Sequence, residues 1–335
     1  MSQTATKRKG FGATGRNALQ RLLAFSALIL MVIIFSFASE SFLTPSNIVG
    51  ILIATTVIGI LALGVTFVII SGGIDLSVGT VMTLSAVMTA IFITNLGLPI
   101  PIGILAGVIT GSIAGWFNGF LIAKLNIPPF IATLGTLFVA RGLALVLSDL
   151  APIYFNDAPE FNLIAMGSII GSVIPAFPVP NIVLVFFAMA IICGFILNRT
   201  TLGRYTYAIG SNEEATRLSG VNVAMWKMAI YALGGCLAGV AGVVLAARLN
   251  SAQPSLGFGY ELEAIAAAVV GGVSLRGGQG TILGTVIGAF VISTLTNGLR
   301  ILSVPQEWQI VVTGLIVILA VYLDIVRRSR EPGAT

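Results

Sequence analysis

The stretch NRTTLGRYTYAIGSNEEATRLSGVNVAMWK, residues 198–227, is a polar interruption in an otherwise apolar half of the chain. Its charged residues are Arg199, Arg204, Arg217, Lys227, Glu213 and Glu214. The apolar runs on either side, 181–197 and 228–247, are long enough to cross a bilayer, which takes about 17–25 residues. A polar segment in this setting predicts the place where the protein meets something outside the membrane.

The composition excludes a soluble protein. Of 335 residues, 57% are hydrophobic and 9% are charged, far from the roughly one-quarter charged residues of soluble domains. The net charge of +5 could indicate nucleic acid, but most Lys and Arg residues lie in short connections beside apolar runs, where they orient membrane helices. We therefore predict an all-α fold, a polytopic membrane helix bundle.

Ten apolar segments qualify as spans, of which the third and eighth are short or glycine-rich. They cover 22–38, 48–70, 79–94, 100–123, 130–148, 181–197, 228–247, 263–275, 281–299 and 308–326. One transmembrane domain, 22–326, then lies between a disordered N-terminal tail, 1–21, and a C-terminal tail, 327–335. The distribution of basic residues predicts that both tails are cytoplasmic.

No constellation for catalysis or cofactor binding is present in the sequence. The chain has no His, and Cys193 and Cys236 are isolated within apolar segments. The run RGGQG at 276–280 lacks the Lys and hydroxyl residue of a phosphate-binding loop. We expect no enzyme activity, metal or cofactor on this chain, and if ATP is used, another chain binds and hydrolyses it.

The polar stretch has the signals of a short helix. Ser211 and Glu214 form a capping box, and Gly220 supplies a left-handed stop, which predicts a helix over residues 212–219. Glu213 and Arg217 are spaced to form an ion pair. Because so short a helix is unstable alone in water, it must dock, either on its own bundle or on a cytoplasmic partner.

Polar residues in or beside the spans are candidates for a solute pathway. Asp75 could cap the following helix or line the pathway. Arg141 stands within a span, where burial of its charge is costly, so it should face the bundle interior with a carboxylate or backbone carbonyls as its partner. A structural pair and contact with a solute are both open. The full candidate set is Asp75, Ser77, Asn118, Arg141, Gln253 and Glu263.

Two further patterns concern organisation. The proline-rich segment 149–180 predicts an ordered external loop with one short interfacial helix, acting as a connector or as a docking lip. Gly72-Gly73-Ile74-Asp75-Leu76 is similar to Gly271-Gly272-Val273-Ser274-Leu275, which predicts two weakly repeated halves. Internal repeats are common in transporters.

Three motifs, GGIDLSVG (72–79), LGRYTYAIGSNEEATRLSGVNV (202–223) and NSAQP…GYELEAIAAAVVGG (250–272), closely resemble the ribose-type permeases of ABC importers. The resemblance runs from about residue 48 to 326. It implies a permease subunit of a bacterial inner membrane that works by alternating access beside a second permease subunit. It also implies a cytoplasmic ATPase that holds ATP and Mg, and an extracytoplasmic sugar-binding protein. It places the ATPase contact on Tyr205, Ser211, Asn212, Glu213, Glu214, Arg217, Leu218 and Gly220.

We predict a monosaccharide cargo, a ribose-like pentose or a hexose, without identifying which sugar. A branched-chain amino acid or a furanose signalling molecule, carried by the same machinery, is the alternative. A secondary transporter or channel without an ATPase is disfavoured by the lack of His and the few carboxylates within the spans. A membrane enzyme is disfavoured by the absence of a nucleophile, base or metal set.

Overall fold

The computed structural model describes residues 13–175 and 177–329, which form a bundle of helices. The long helices are α1 (Ala13–Ala38), α2 (Pro45–Ile70), α3 (Val78–Ala90, continued by a π-helical turn, Ile91–Asn95), α4 (Ile100–Ala123), α5 (Pro129–Leu147), α8 (Asn181–Arg199), α11 (Val223–Leu249), α13 (Ile282–Ile301) and α14 (Gln306–Ser329). The shorter helices are α6 (Pro159–Met166), α7 (Ile169–Val173), α9 (Thr201–Ser211), α10 (Glu213–Leu218) and α12 (Tyr260–Val270).

Seven helices within the described residues are long and apolar enough to cross a membrane: α2, α3 with its π-helical turn, α4, α5, α8, α11 and α13. The class of the prediction, a polytopic helical bundle, is confirmed. The eighth predicted span, 263–275, contains a helix shorter than a crossing helix. The helix found there, α12, has 11 residues, or about 16 Å of length against a hydrocarbon core of about 30 Å.

The ends of the chain differ from the predicted tails. Helix α1 begins at Ala13, inside the segment 1–21 that the sequence predicts to be disordered. Residues 1–12 lie outside the described part of the chain. At the other end, α14 continues to Ser329, inside the predicted tail 327–335.

Glycines place α4 directly against α11. On α4 the buried glycines recur every fourth residue, and Cβ atoms at Gly111 or Gly115 would collide with the α11 backbone around Gly235. Helix α2 also approaches α11 closely, because a Cβ atom added at Gly64 would lie 3.0 Å from the carbonyl oxygen of Gly234. Small residues let membrane helices approach at backbone distance, so these three helices form the packed centre.

Two helices begin in the interior of the bundle. We call the end that carries α9 and α10 the basic end; α11 starts there. Tyr231 of α11 donates its hydroxyl to the carbonyl oxygen of Ile74 at 3.2 Å, whereas Gly242, about 16 Å further along α11, contacts Met82 of α3. Segment 71–77 therefore runs from the basic end into the interior of the bundle, where α3 starts.

Helix α12 begins at the same depth. Gly79, in the first turn of α3, lies against Gly257 and Glu261 at the start of α12. The hydroxyl of Thr83 donates to the carbonyl oxygen of Leu256 at 3.0 Å. Interrupted helices that start near mid-depth are a recurring feature of transporter pathways.

The long connection 149–180, described except for residue 176, carries more structure than predicted. It contains two short helices, α6 and α7, rather than one. Its residues Ile153–Tyr154 form strand β1, which pairs antiparallel with β2, Ser251–Ala252. The side-chain amide of Asn162 donates to the carbonyl oxygen of Ala247 at 2.7 Å, which ties α6 to the far end of α11.

The structure aligns the two similar glycine turns with each other, but one residue away from the predicted alignment. Gly72 and Gly272 both have positive φ, +82° and +93°. The next amides, of Gly73 and Val273, donate to Val68 and Ala268, each at 3.0 Å. Gly72 thus corresponds to Gly272, not to Gly271. The similarity is that of two helix C-caps.

Candidate functional site

The short helix predicted over 212–219 is present, with a different start. We call it the predicted coupling helix, because the resemblance places the ATPase contact there. Ser211 is the last residue of α9 and not an N-cap, so the predicted capping box with Glu214 is wrong. Asn212 is the N-cap of α10, and its Oδ1 accepts from the amide of Ala215 at 2.8 Å. The stop is as predicted, because Gly220 follows with φ +84°. The helix, Glu213–Leu218, is shorter than the expected 212–219.

The ion pairs of α10 also differ from the prediction. Glu213 does not pair with Arg217; its Oε2 lies 2.7 Å from Nζ of Lys227 at the start of α11. Arg217 instead approaches Glu214, with Nη2 and Oε1 4.0 Å apart and both side chains exposed. The pair of Glu213 with Lys227 ties α10 to α11, whereas the pair on the helix surface contributes little.

Most of the predicted coupling residues face solvent. Ser211, Asn212, Glu213, Glu214, Arg217, Leu218 and Gly220 are exposed, and Tyr205 is half-buried against the ring of Trp226. In α10 itself, Thr216 is buried while Leu218 is 80% exposed. Leu218 is therefore accessible for contact with another molecule.

A groove of about 360 Å³ opens between α9 and α10. Its lining is mainly apolar and includes one aromatic ring. The lining residues are Tyr205, Ala208, Ser211, Asn212, Ala215, Thr216, Ser219 and Val221. The groove therefore lies beside the exposed coupling residues and could accept a side chain of a docked protein.

Three of the predicted pathway residues form one buried hydrogen-bond chain. Oδ1 of Asp75 accepts from the amide and the hydroxyl of Ser77, at 2.8 and 2.6 Å. The Ser77 hydroxyl also accepts from Nδ2 of Asn118 at 2.9 Å. The hydroxyl of Thr136, which the sequence analysis missed, donates to Oδ1 of Asn118 at 2.6 Å. The chain joins the start of α3 to α4 and α5.

The buried chain supports the structural role that was predicted for Asp75. The carboxylate accepts the Ser77 amide just before α3 begins, and Asp75 is 1% exposed. Buried polar side chains are stable when every member has a partner, as each of these four has. The arrangement fixes the point at which segment 71–77 turns into α3.

Arg141 lies apart from this chain. Its guanidinium carbon is 5.1 Å from the ring centre of Phe258, which precedes α12 and is 60% exposed. The expected partner was a carboxylate or backbone carbonyls; in the part of the chain that the structure describes, no carboxylate forms an ion pair with Arg141, and its contact is an aromatic ring. A cation over a ring face is attracted by the quadrupole of the ring.

Of the remaining two candidates, Gln253 lies between β2 and α12, and Glu263 lies in the first turn of α12. Gln253 is half-buried and donates from Nε2 to the hydroxyl of Ser251 at 3.0 Å. Glu263 is half-buried, whereas Glu261, which was not selected, is 4% exposed and accepts the amide of Gly259. The sequence contained the signal for Glu261, because a carboxylate in the first turn of a helix is favourable.

Among residues 13–175 and 177–329 no group of three or more His, Cys, Asp or Glu side chains could hold a metal ion. The fold and these sites define an integral membrane protein with interrupted helices inside and an exposed polar helix at the basic end.

The comparisons with known proteins identify the class more closely. Residues 47–321 match the family described as branched-chain amino acid transport system / permease component. The ribose import permease protein RbsC of Bacillus subtilis (strain 168) is 44% identical over 323 residues, 96% of this chain and 97% of the relative. Its Escherichia coli (strain K12) counterpart is 40% identical over 301 residues, 89% and 91%. The D-allose transport system permease protein AlsC of the same strain is 40% identical, with 90% of each covered.

The chain therefore belongs to this permease family. Its described helices and near-full-length relatives make it a transport permease subunit rather than an enzyme. No solved structure matches the chain.

Proposed function

We propose that the chain is the permease subunit of a binding-protein-dependent ABC importer that carries a monosaccharide, a ribose-like pentose or a hexose, by alternating access. The observation that carries this proposal is the near-full-length similarity to permeases named for ribose and allose. The amide and hydroxyl groups between β2 and α12 suit a neutral solute, because they can replace the hydrogen bonds that a sugar makes with water.

The proposal includes the finer architecture. The permease subunit has ten spans in two weakly repeated halves, with both termini on the cytoplasmic face of a bacterial inner membrane. Two identical permease subunits form a homodimer. Seven helices that satisfy the length and hydropathy criteria are described. Helices α1, α12 and α14 would supply the remaining three, with α12 joined to segment 251–259 in an interrupted crossing.

The energy source in this proposal is a separate ATPase that binds ATP and Mg. Its contact is α10 with the adjacent groove, comprising Tyr205, Ser211, Asn212, Glu213, Glu214, Arg217, Leu218 and Gly220. The support is physical: a capped helix of 6 residues has its surface charges and Leu218 exposed. Since isolated helices of this length are marginal, a docked partner would stabilise it.

The solute route is proposed to involve Asp75, Ser77, Asn118, Arg141, Gln253 and Glu263. Arg141 lies against the exposed ring of Phe258, and a charged side chain facing hydrocarbon is unfavourable by at least about 2.5 kcal/mol. A route filled with water or a second permease subunit at this face would remove that cost. The buried chain from Asp75 to Thr136 would hold the helices around the route.

Reconstitution tests the proposal. The permease is placed in proteoliposomes with its ATPase inside and the sugar-binding protein outside, and uptake of radiolabelled ribose, allose and leucine is measured. ATP-dependent sugar uptake is expected. Uptake that persists without the ATPase would identify a secondary transporter, and no uptake of any solute by the assembled complex would contradict the importer.

A second cargo, a branched-chain amino acid, is favoured by the description of the matching family. The cognate binding protein separates the two cargoes, because a ligand that binds the folded state raises its melting temperature. A thermal shift with ribose, allose or xylose and none with leucine or valine supports the sugar. The reverse pattern supports the amino acid and rejects the sugar.

A further inference from the structure

Three separate segments meet at the basic end, directly beside the predicted coupling contact. They are the last turn of α9, the last turn of α2, and the turn 274–280 that follows α12. The amide of Gly278 donates to the carbonyl oxygen of Ile70 at 2.8 Å. The hydroxyl of Tyr207, on α9, donates to the carbonyl oxygen of Gly280 at 2.7 Å. We call this meeting point the α9 junction.

Gly210 makes the junction a contact of backbone with backbone. A Cβ atom at Gly210 would collide with the carbonyl oxygen of Ile70 and would lie 2.6 Å from the Gly278 nitrogen. A Cβ atom at Gly277 would lie 2.8 Å from the oxygen of Gly210 and 3.0 Å from Cα of Gly72. Because no flexible side chain separates these segments, a displacement of α9 also displaces the end of α2 and the turn 274–280.

The hydrogen bond of Tyr207 is a second link at the α9 junction. Burial raises the pKa of the Tyr207 phenol, so the hydroxyl keeps its proton and remains a donor at any physiological pH. Its acceptor, Gly280, immediately precedes Thr281, the N-cap of α13, whose Oγ1 accepts the Gly284 amide at 3.1 Å. The same bond therefore connects α9 to the starting point of α13.

The segments held at the junction lead to the interior. Ile70 ends α2, and the next residues form segment 71–77 that returns to the start of α3. The turn 274–280 follows α12, whose other end lies against Gly79 of α3. On the outer side, one residue, Asn212, separates α9 from α10. The junction thus connects the exposed coupling helix to both interrupted helices.

We propose that Tyr207 and Gly210 are positioning residues that transmit movement of α10 to the ends of α2 and α12. This inference rests on the proposed function, because it assumes that a partner ATPase moves α10. Neither residue needs to touch the ATPase or the solute. Their role is to keep α9, α2 and the turn 274–280 moving as one unit.

The test uses the complete reconstituted importer and measures sugar uptake per ATP hydrolysed, at equal amounts of assembled complex. The variants are Tyr207→Phe, which removes one hydroxyl, and Gly210→Ala, which adds one methyl group. Tyr322→Phe, on an exposed ring of α14, and Gly194→Ala, on a face of α8 with nothing within 4 Å, are the matched controls. Co-purification of the ATPase confirms assembly.

For Tyr207→Phe we expect uptake per ATP to fall about two- to tenfold, the effect of losing one hydrogen bond. ATP hydrolysis and ATPase binding should be retained, and the controls should match the unmodified chain. Gly210→Ala should have an effect at least as large, and if it fails to assemble, Tyr207→Phe alone decides.

The inference is overturned if Tyr207→Phe leaves uptake per ATP unchanged, or if uptake and hydrolysis fall in proportion. Failure of the underlying function is distinguishable, because then the unmodified complex itself would show no ATP-dependent uptake.

Discussion

The packed centre of α2, α4 and α11 differs sharply from α10 at the basic end. In the centre, Gly115 and Gly235 bring helix backbones into direct contact and leave no room for a methyl group. On α10, five of the six residues are exposed or nearly so, and one, Thr216, is buried. The centre thus depends on packing within the chain, whereas α10 has little packing of its own. Substitutions should therefore affect stability in one region and coupling in the other.

The largest loss of stability is expected for Gly115→Leu. Its side chain would be forced into the α11 backbone at Tyr231 and Gly235, and overpacking typically costs about 1–3 kcal/mol, with more where backbone must move. The yield of monodisperse protein in detergent and its melting temperature should both drop. Gly135→Leu on α5, with nothing within 4 Å, is the control. Equal stability of the two variants would show that α4 and α11 are not packed this closely.

A smaller loss is expected for Asn118→Ala. The change removes the acceptor of Thr136 and the donor to Ser77 in a buried site. Leaving a buried polar group without a partner costs about 1–3 kcal/mol. Thermal unfolding in detergent measures the effect, with the exposed Asn198→Ala as control. If both variants unfold at the same temperature, the hydrogen-bond chain contributes nothing to stability.

Lys227→Ala tests the ion pair that ties α10 to α11. The side chain of Lys227 is 18% exposed and that of Glu213 is 53% exposed, so water screens the pair in part. We expect a loss of about 0.2–1 kcal/mol that shrinks as salt concentration rises. A loss that is independent of salt would point to the lysine stem rather than its charge.

The smallest effect on stability is expected for the double change of Glu214 and Arg217 to Ala, which leaves the pair of Glu213 with Lys227 intact. Both side chains are exposed, and surface charges of this kind contribute less than about 1 kcal/mol. Yet sugar-stimulated ATP hydrolysis and uptake should be abolished while insertion and melting temperature are kept. Sugar-stimulated ATP hydrolysis as fast as in the unmodified complex would contradict the assignment of α10 as the coupling contact. The contrast between the two regions would then have no functional meaning.

Much of the bundle could be predicted from the sequence, because hydrophobic length reports membrane helices well. The fourth span coincides with α4, Ile100–Ala123, and the sixth differs from α8 by two residues at its end. The end of α12 was predicted too late, at residue 275, because the run 263–275 is apolar apart from Glu263 and Ser274. The helix ends at Val270, since the left-handed backbone of Gly272 terminates it. Hydropathy does not encode that end.

The coupling helix shows the same limit at finer scale. Ser211 and Asn212 are both good N-caps, so local chemistry alone does not choose between them. In the structure α9 continues to Ser211, with Gly210 packed against Ile70, and Asn212 is the cap. Likewise, Thr136 became visible as a partner of Asn118 only when α4 and α5 were placed side by side. Such pairings depend on helix arrangement, which no single segment specifies.

The central claim is that α10 is a docking surface for a separate ATPase, and cysteine labelling tests it most directly. Leu218→Cys is introduced after Cys193 and Cys236 are changed to Ala, and a membrane-impermeant maleimide is applied to the purified permease with and without its ATPase. Leu218 is 80% exposed, so rapid labelling is expected in the permease alone and strong protection in the complex. Equal labelling rates in both, with the ATPase shown to be bound, would contradict the account.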